Sequence, residues 1–226
     1  MINMPIALLR VAASLALASG SRFPVAVVED VGGNPPGIQF MDYIESGQVI
    51  KLGPHDKLVI GYLKSCWLET IVGGTITVGT QQSEVQGGQV ERAKTACDGG
   101  KMLLTAELAN ASATAAFRAP PLKKSQAPPR PEFTLYGRSP IVEVKPGGTL
   151  VVERIDQPGE RYEIAVDANR LTHGCFLDLA RSGIALSAGG IYRASAGGRK
   201  MVFKIDPGAG SGETPITGRL VRLQPK

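Results

Sequence analysis

The stretch that decides the fold reads Glu69-Thr-Ile-Val-Gly-Gly-Thr-Ile-Thr-Val-Gly79. Its first part is rich in β-branched residues, and Thr75-Ile-Thr-Val78 alternates polar and apolar side chains with the two-residue period of a half-buried strand. Two adjacent glycines separate these parts, and double glycines recur at 87–88 and 99–100. Because glycine pairs commonly mark turns between extended segments, this spacing predicts short strands joined by tight turns.

The same pattern extends outward through the first half of the chain. Short apolar or alternating segments are bounded by glycine and proline, which is typical of closely wound β-structure. We expect turns at Gly53-Pro54, Gly73-Gly74, Gly79 and Gly87-Gly88. The strands predicted around these turns are Val25–Val28, Gln48–Leu52, Leu58–Leu63, Cys66–Val72, Thr75–Val78 and Gln89–Thr95.

Residues 102–117 do not follow this pattern clearly. Their many alanines permit a helix, whereas the opening Met-Leu-Leu-Thr-Ala-Glu-Leu suits a strand that closes the sheet. We favour the strand.

A proline-rich segment then divides the chain, and it reads Ala119-Pro-Pro-Leu-Lys-Lys-Ser-Gln-Ala-Pro-Pro-Arg-Pro131. Prolines fix φ and remove backbone donors, so the segment is predicted to be a semi-extended linker. It separates a predicted domain at 21–118 from a second one at 132–226.

The second half returns to short strands separated by glycine and proline turns, with one helical turn expected within residues 177–186. Seven strands in a segment of this length are the pattern of an immunoglobulin-like β-sandwich. The fold predicted for the whole chain is therefore all-β. The predicted strands of this half are Phe133–Tyr136, Ile141–Lys145, Thr149–Ile155, Tyr162–Ala168, Ile191–Ser195, Met201–Ile205 and Thr217–Leu223.

The N-terminal residues 1–20 contain an apolar run from Ile6 to Ala18, interrupted by Arg10 and followed by small residues. That length suits the core of a signal peptide and is too short to span a bilayer. The alternative is a buried N-terminal helix. We favour the signal peptide, which predicts export to the periplasm or another extracytoplasmic space and a mature chain that does not span the membrane.

Three cysteines are present, at Cys66, Cys97 and Cys175. Export makes a disulfide plausible, and three thiols allow three single pairings. We expect Cys66–Cys97, because both residues fall in the first predicted domain. Cys175 is then expected to be a small buried core residue.

Two segments of the first half carry a resemblance to a known family. Residues 50–61, Ile-Lys-Leu-Gly-Pro-His-Asp-Lys-Leu-Val-Ile-Gly, and the stretch 69–79 resemble FecR-like periplasmic β-domains. In the second half, Leu186-Ser-Ala-Gly-Gly-Ile-Tyr192 followed by Val202-Phe-Lys-Ile205 is similar to immunoglobulin-like modules attached to such domains. The resemblance implies a fold and a compartment. It leaves a regulatory role open, because full FecR regulators also have a transmembrane segment and a cytoplasmic part.

The formal net charge of +5 arises from 25 basic and 20 acidic side chains whose signs are interleaved along the chain. Nucleic-acid binding requires clustered Lys and Arg, usually with stacking aromatic residues, and aromatic residues make up only 5% of this chain. The charge pattern therefore indicates a solvated surface and argues against nucleic acid as a partner.

The chain contains only two histidines, and neither is placed for metal binding by its neighbours. His55 follows a Gly-Pro pair and is expected in an exposed turn. His173 and Cys175 are the strongest candidate for a catalytic base and nucleophile. If they lay two residues apart on one strand, their side chains would share a face. We favour a packed thiol beside a loop histidine.

Other catalytic patterns are weaker. Ser211 lies in Gly-Ala-Gly-Ser-Gly, but Ala209 stands where a nucleophile elbow has glycine. The acidic residues Glu29, Asp30, Asp42 and Glu45 are interpreted as surface carboxylates. We therefore expect no catalytic residue, no metal ligand and no cofactor.

These observations favour a non-catalytic interaction module whose partner is an envelope or membrane protein, such as a membrane sensor to which the chain would be accessory. The expected contact regions are the sheet edges, the loop Gly32–Gly37 and the linker. One alternative is a periplasmic binder of glycan or cell-wall ligands, and the other is an enzyme using His173 and Cys175. Glycan binding requires an exposed aromatic platform, for which the candidates are Tyr43, Tyr62, Trp67, Tyr136, Tyr162 and Tyr192.

Overall fold

The structure is a computed structural model and describes residues 24–102, 130–212 and 214–223. These ranges contain fourteen strands and two 3₁₀ turns, so the prediction of an all-β chain is confirmed. Lys101 and Met102 have a helical backbone where a strand was expected to begin. The remainder of that predicted strand lies outside the described residues, as do residues 1–20 and most of the linker. No helix within the described ranges has the length and apolar character needed to cross a membrane.

The first half forms one six-stranded antiparallel sheet. Its strands lie in the order β2-β1-β3-β4, and β5 and β6 both pair with the remaining edge of β4. The strand bounds are β1 Pro24–Gly32, β2 Tyr43–Glu45, β3 Val49–Tyr62, β4 Trp67–Val78, β5 Ser83–Gln86 and β6 Gln89–Lys94.

The expectation of turns at Gly53-Pro54 and Gly73-Gly74 is wrong, because β3 and β4 run through both pairs. Gly73 and Gly74 have φ of +66° and +85°, a left-handed conformation that glycine adopts without strain. They bend β4 without reversing it. Gly87-Gly88 likewise separates β5 from β6, yet both strands continue antiparallel to β4 in the same direction.

These three glycine-containing sites lie opposite one another, so three neighbouring strands bend along one row. Leu52 pairs with Gly74 and Lys57 with Val72, which leaves four residues of β3 opposite a single residue of β4. Such a bulge increases the local bend and twist of a sheet. The glycines therefore curl the sheet.

Asp56 stabilises this bulge through its carboxylate. The Gly53 N–H donates to Asp56 Oδ2 at 2.8 Å, and the Asn34 N–H donates to Oδ1 at 3.3 Å. The second bond ties the Gly32–Gly37 loop to the bulge. His55 is exposed beside it, as its position after a Gly-Pro pair predicts.

The second half contains a five-stranded sheet in the order β10-β9-β12-β13-β7 and a three-stranded sheet in the order β11-β8-β14. Two pairs, β13 with β7 and β14 with β8, are parallel. The strands are β7 Phe133–Gly137, β8 Ile141–Glu143, β9 Thr149–Arg154, β10 Arg161–Ala165, β11 Phe176–Asp178, β12 Ile191–Ala196, β13 Arg199–Gly210 and β14 Leu220–Arg222.

The helical turn expected within residues 177–186 is wrong. The short strand β11 occupies its beginning, and Leu179–Gly183 forms a tight hydrogen-bonded turn. Phe176 and Leu177 favour an extended segment, because both side chains are buried in the core beside β8.

Two apolar clusters hold the strands together. One lies within the curled first-half sheet. The other joins the inner sides of both second-half sheets, and Val27, Met41, Leu63 and Met102 of the first half belong to it. The two halves therefore share buried apolar surface. The division into domains at 21–118 and 132–226 stays a prediction.

The structure contains the predicted disulfide between Cys66 and Cys97, whose Cα atoms lie 5.6 Å apart. Cys66 immediately precedes β4, and Cys97 follows the end of β6. The disulfide therefore links the start of β4 to the end of β6, two strands that pair with each other. Cys175 is the free cysteine, and it is half-buried at the margin of the shared core rather than fully buried as expected.

We expect Gly74→Ala to lower the free energy of unfolding by about 2–3 kcal/mol, because a Cβ there would meet the Gln86 carbonyl oxygen at 2.5 Å in a strained backbone conformation. Gly87→Ala is the matched control. Gly87 has φ of +69° but open space around its Cβ position, so about 1 kcal/mol is expected. Urea unfolding measures both, and equal losses would contradict a close-packed bend at Gly74.

The double variant Cys66→Ser, Cys97→Ser removes the disulfide and is expected to lower the free energy of unfolding by about 3–4 kcal/mol. The reason is that the unfolded chain is no longer restricted by a cross-link between residues 31 positions apart. Urea unfolding without reductant measures this loss. Cys175→Ser controls for the loss of a thiol, and it should retain the sensitivity of the wild-type protein to reductant. Equal stability of the double variant and Cys175→Ser would contradict the expected contribution.

Candidate functional site

A cavity of about 570 Å³ lies between β1 and loops of the second half. We call it the junction cleft, since both halves supply its walls. Clefts of this size that combine apolar walls with a few polar groups are the usual form of binding sites. Its lining residues are Glu29, Asp30, Val31 and Phe40 from the first half, and Asp178, Arg181, Thr214, Pro215, Ile216 and Arg219 from the second.

Glu29 is the link between the halves at the floor of the cleft. Its carboxylate accepts hydrogen bonds from the Ile216 N–H at 2.6 Å and the Thr217 N–H at 3.0 Å. Burial raises the pKa of the Glu29 carboxyl, while these two hydrogen bonds act in the opposite direction. The expectation of a surface carboxylate is therefore wrong for Glu29. It is confirmed for the neighbouring Asp30, which is exposed and pairs with Lys57 at 3.2 Å.

Arg219 and Asp178 form a buried ion pair on the second-half side. Their side chains are only 4% and 6% exposed, and Arg219 Nη1 lies 2.7 Å from Asp178 Oδ1. The guanidinium also donates to the carbonyl oxygens of Thr214 at 2.9 Å and Ser139 at 3.1 Å. Because its donors are used within the protein, Arg219 holds the cleft wall in place and is a poor receptor for a ligand anion.

Apolar side chains line the cleft beside its charged groups. Phe40 is half-buried, and the guanidinium carbon of Arg181 lies 5.8 Å from its ring centroid. Val31, Pro215 and Ile216 complete the apolar wall. The arrangement therefore offers a rigid polar floor, an apolar wall and exposed rim charges of both signs, at Asp30 and Arg181.

His173 and Cys175 do not lie on one strand, as the spacing suggested. Residues 173–175 form a tight turn closed by the pairing of Thr172 with Phe176, and His173 has φ of +50°. The His173 ring contacts the carbonyl oxygen of Phe40 through Nε2, and its Nδ1 lies 3.9 Å from Asp42 Oδ1. His173 is therefore engaged with the first half of the chain.

Cys175 lies among different groups. Burial, together with the nearby carboxylate of Glu143, raises the pKa of its thiol, while Arg222 acts in the opposite direction. A raised pKa makes a thiol a weaker nucleophile at neutral pH. The His173 ring thus makes its contacts with Phe40 and Asp42, and the pKa of the Cys175 thiol is raised.

Another contact between the halves surrounds Tyr43. Arg222 Nε lies 2.7 Å from Glu143 Oε2, and its guanidinium carbon lies 5.3 Å from the Tyr43 ring centroid. Tyr43 also packs edge-on against Phe176, with ring centroids 5.6 Å apart. Burial raises the pKa of the Tyr43 phenol, so it remains neutral and the contact is a structural one.

The aromatic platform expected of a glycan binder is not formed by the six residues named for it. Tyr62 and Tyr192 are fully buried, and the other four are half-buried. Trp67 packs partly against the first-half core, and the Lys94 ammonium lies 4.1 Å from its ring centroid. Phe40, the aromatic residue on the cleft, was not among the candidates from the sequence.

Glu29→Gln is expected to become more stable relative to wild type as the pH rises above about 4.5. A carboxyl with a raised pKa stabilises the fold in its protonated form, so the wild-type protein loses stability as the pH rises from the ordinary value of 4.5 through the raised one. Urea unfolding over about pH 4 to 7 measures the difference. Glu45→Gln on β2 controls for the loss of one carboxylate, and a pH-independent difference for Glu29→Gln would contradict the burial effect.

Within residues 24–102, 130–212 and 214–223, no three His, Cys, Asp or Glu side chains converge as a metal site would require. Comparisons with protein-family models, curated proteins and solved structures found no match to this chain. The FecR-like and immunoglobulin-like assignments therefore stay predictions, and the junction cleft is the candidate site that the structure itself provides.

Proposed function

We propose that the protein is an exported, non-catalytic binding module that engages an envelope or membrane protein through the junction cleft. The observation that carries this proposal is the cleft itself, a cavity of about 570 Å³ whose walls come from both halves. Its most strongly polar groups, Glu29, Asp178 and Arg219, are bonded within the protein. The groups left to contact a partner are the apolar side chains of the cleft and the charged residues at its rim.

The disulfide supports the compartment in this proposal. Disulfides persist in oxidising spaces such as the periplasm and are rare in the cytosol. The apolar run at 6–18 adds the expectation of a signal peptide. In an envelope protein of the FecR-like type, the binding module would be accessory to a membrane sensor.

The composition of the cleft favours a polypeptide over a sugar. Protein interfaces combine an apolar centre with a polar, solvent-accessible rim. Val31, Phe40 and Pro215 supply such a centre, and Asp30 and Arg181 supply a rim with both signs of charge. Sugar sites instead need several convergent hydrogen-bonding groups, and here the convergent groups are already used.

A photo-crosslinking residue at position 181 tests the proposal. In envelope extract of the source organism, we expect it to form one discrete adduct with a membrane or envelope protein, because position 181 lies on the cleft rim. Mass spectrometry of the adduct identifies the partner. Phe40→Asp in the same chain should abolish the adduct, since it places a charge on the apolar wall.

The matched control carries the crosslinker at position 51. Lys51 is also an exposed cation, but it lies on β3 and does not line the cleft. Equal adducts from positions 181 and 51 would contradict binding through the cleft. Recovery of polysaccharide alone from position 181 would contradict the protein partner and favour the glycan alternative.

A further inference from the structure

A second site is indicated at the β12–β13 hairpin, away from the groups that line the junction cleft. Gly197 and Gly198 form its turn with φ of +55° and +80°, and Arg199 follows. Arg199 lines two shallow depressions, one of about 80 Å³ that it shares with Lys145, and one of about 340 Å³ that it shares with Thr149 and Ser195. Both depressions therefore share Arg199, together with Ala196 and Gly197.

The cations here are not balanced by carboxylates. Lys145, Arg199 and Lys200 are all exposed, and in the part of the chain that the structure describes none forms an ion pair. On the same five-stranded sheet, Arg161 and Arg193 each pair with Glu153 at 2.9 Å. The hairpin end thus carries an excess of positive charge that the middle of the sheet does not.

One carboxylate, that of Glu143, does line the smaller depression. Arg222 pairs with it at 2.7 Å, and the Tyr43 hydroxyl lies 3.5 Å away. Its charge is therefore compensated on the side facing the core. Arg199 and Lys145, which line the depressions, and the exposed neighbour Lys200 remain without an acidic partner, and we call these three residues the basic end.

We propose that the basic end binds a phosphate-bearing ligand. Arginine presents a planar fork of N–H donors that matches phosphate oxygens, and lysine adds a point charge. Thr149 and Ser195, whose hydroxyl groups can donate hydrogen bonds, also line the larger depression. At Gly197 no atom lies within 4 Å of a Cβ position, so the turn leaves open space for a ligand beside Arg199.

The phosphate has two possible sources that share this chemistry, a soluble phosphate compound and a phospholipid headgroup. The site is independent of the junction cleft, because Lys145, Thr149, Ser195, Arg199 and Lys200 do not line the cleft. Failure of one proposal therefore leaves the other standing.

The test is an NMR titration of the ¹⁵N-labelled full chain with inorganic phosphate, at an ionic strength held constant with chloride. We expect saturable shift changes centred on residues 145–149 and 195–200. Arg199→Gln should weaken the apparent affinity about fivefold, the loss typical of one exposed ionic contact. Lys145→Gln serves as a second variant, and Lys51→Gln, at an exposed cation elsewhere, should leave the affinity unchanged.

Vesicle co-sedimentation distinguishes the two sources. Binding to phosphatidylglycerol-containing vesicles but not to pure phosphatidylcholine vesicles, weakened by Arg199→Gln and not by Lys51→Gln, would assign a lipid headgroup. Saturable phosphate shifts without vesicle binding would assign a soluble compound. Shifts that are absent, or spread equally over all exposed cations and unchanged in Arg199→Gln, would overturn the proposal.

Discussion

The buried guanidinium of Arg219 is the constraint on which the second half and the cleft both depend. A charge that is removed from water must be paired and fully hydrogen-bonded, and loss of one partner of such a pair typically costs about 3–5 kcal/mol. Arg219 meets this requirement with Asp178 at the end of β11, Ser139 before β8 and Thr214 after β13. It thereby fixes three separate segments around one point. The adjoining 3₁₀ turn at Ile216–Gly218 then presents its N–H groups to Glu29 of the first half.

The curl of the first-half sheet sets the other wall of the cleft. β1 pairs with β3, and β3 is bent with β4 at the row of glycines that includes Gly74. Gly61 on β3 shows how closely the halves approach, since a Cβ there would meet the Thr217 methyl group at 2.5 Å. The bend and the close approach are both possible only where a side chain is missing. Glycine thus determines the shape of the junction as much as the charged groups do.

Local sequence patterns predicted those parts of the structure that depend mainly on residues close together in the sequence. Alternation in Thr75–Val78 identified a strand correctly, and the placement of Cys66 and Cys97 identified the disulfide. The same local rules failed at Gly73-Gly74, because a glycine pair permits a bend or a turn equally well and the neighbouring strands decide between them. They also could not find Asp178 with Arg219, which lie 41 residues apart and meet only in the folded chain. Arg219 follows a Thr-Gly pair in an apolar segment, and a cation in such surroundings is a signal that sequence reasoning missed and that could have indicated a buried pair.

The two candidate sites differ in whether their charged groups are paired within the protein. Paired charges stabilise the fold, whereas unpaired charges can bind a ligand. In the junction cleft the strong charges are bonded inside the protein, so they give shape and rigidity, and recognition falls to Phe40 and the rim. At the basic end Arg199 and Lys145 have no acidic partner among the described residues, so their attraction is available to an outside anion. A charge can stabilise the fold or attract a ligand, but a guanidinium with four of its five donors used within the protein, as in Arg219, has little left for a ligand. Arg219 and Arg199 therefore have opposite roles, although both stand beside glycine in the sequence.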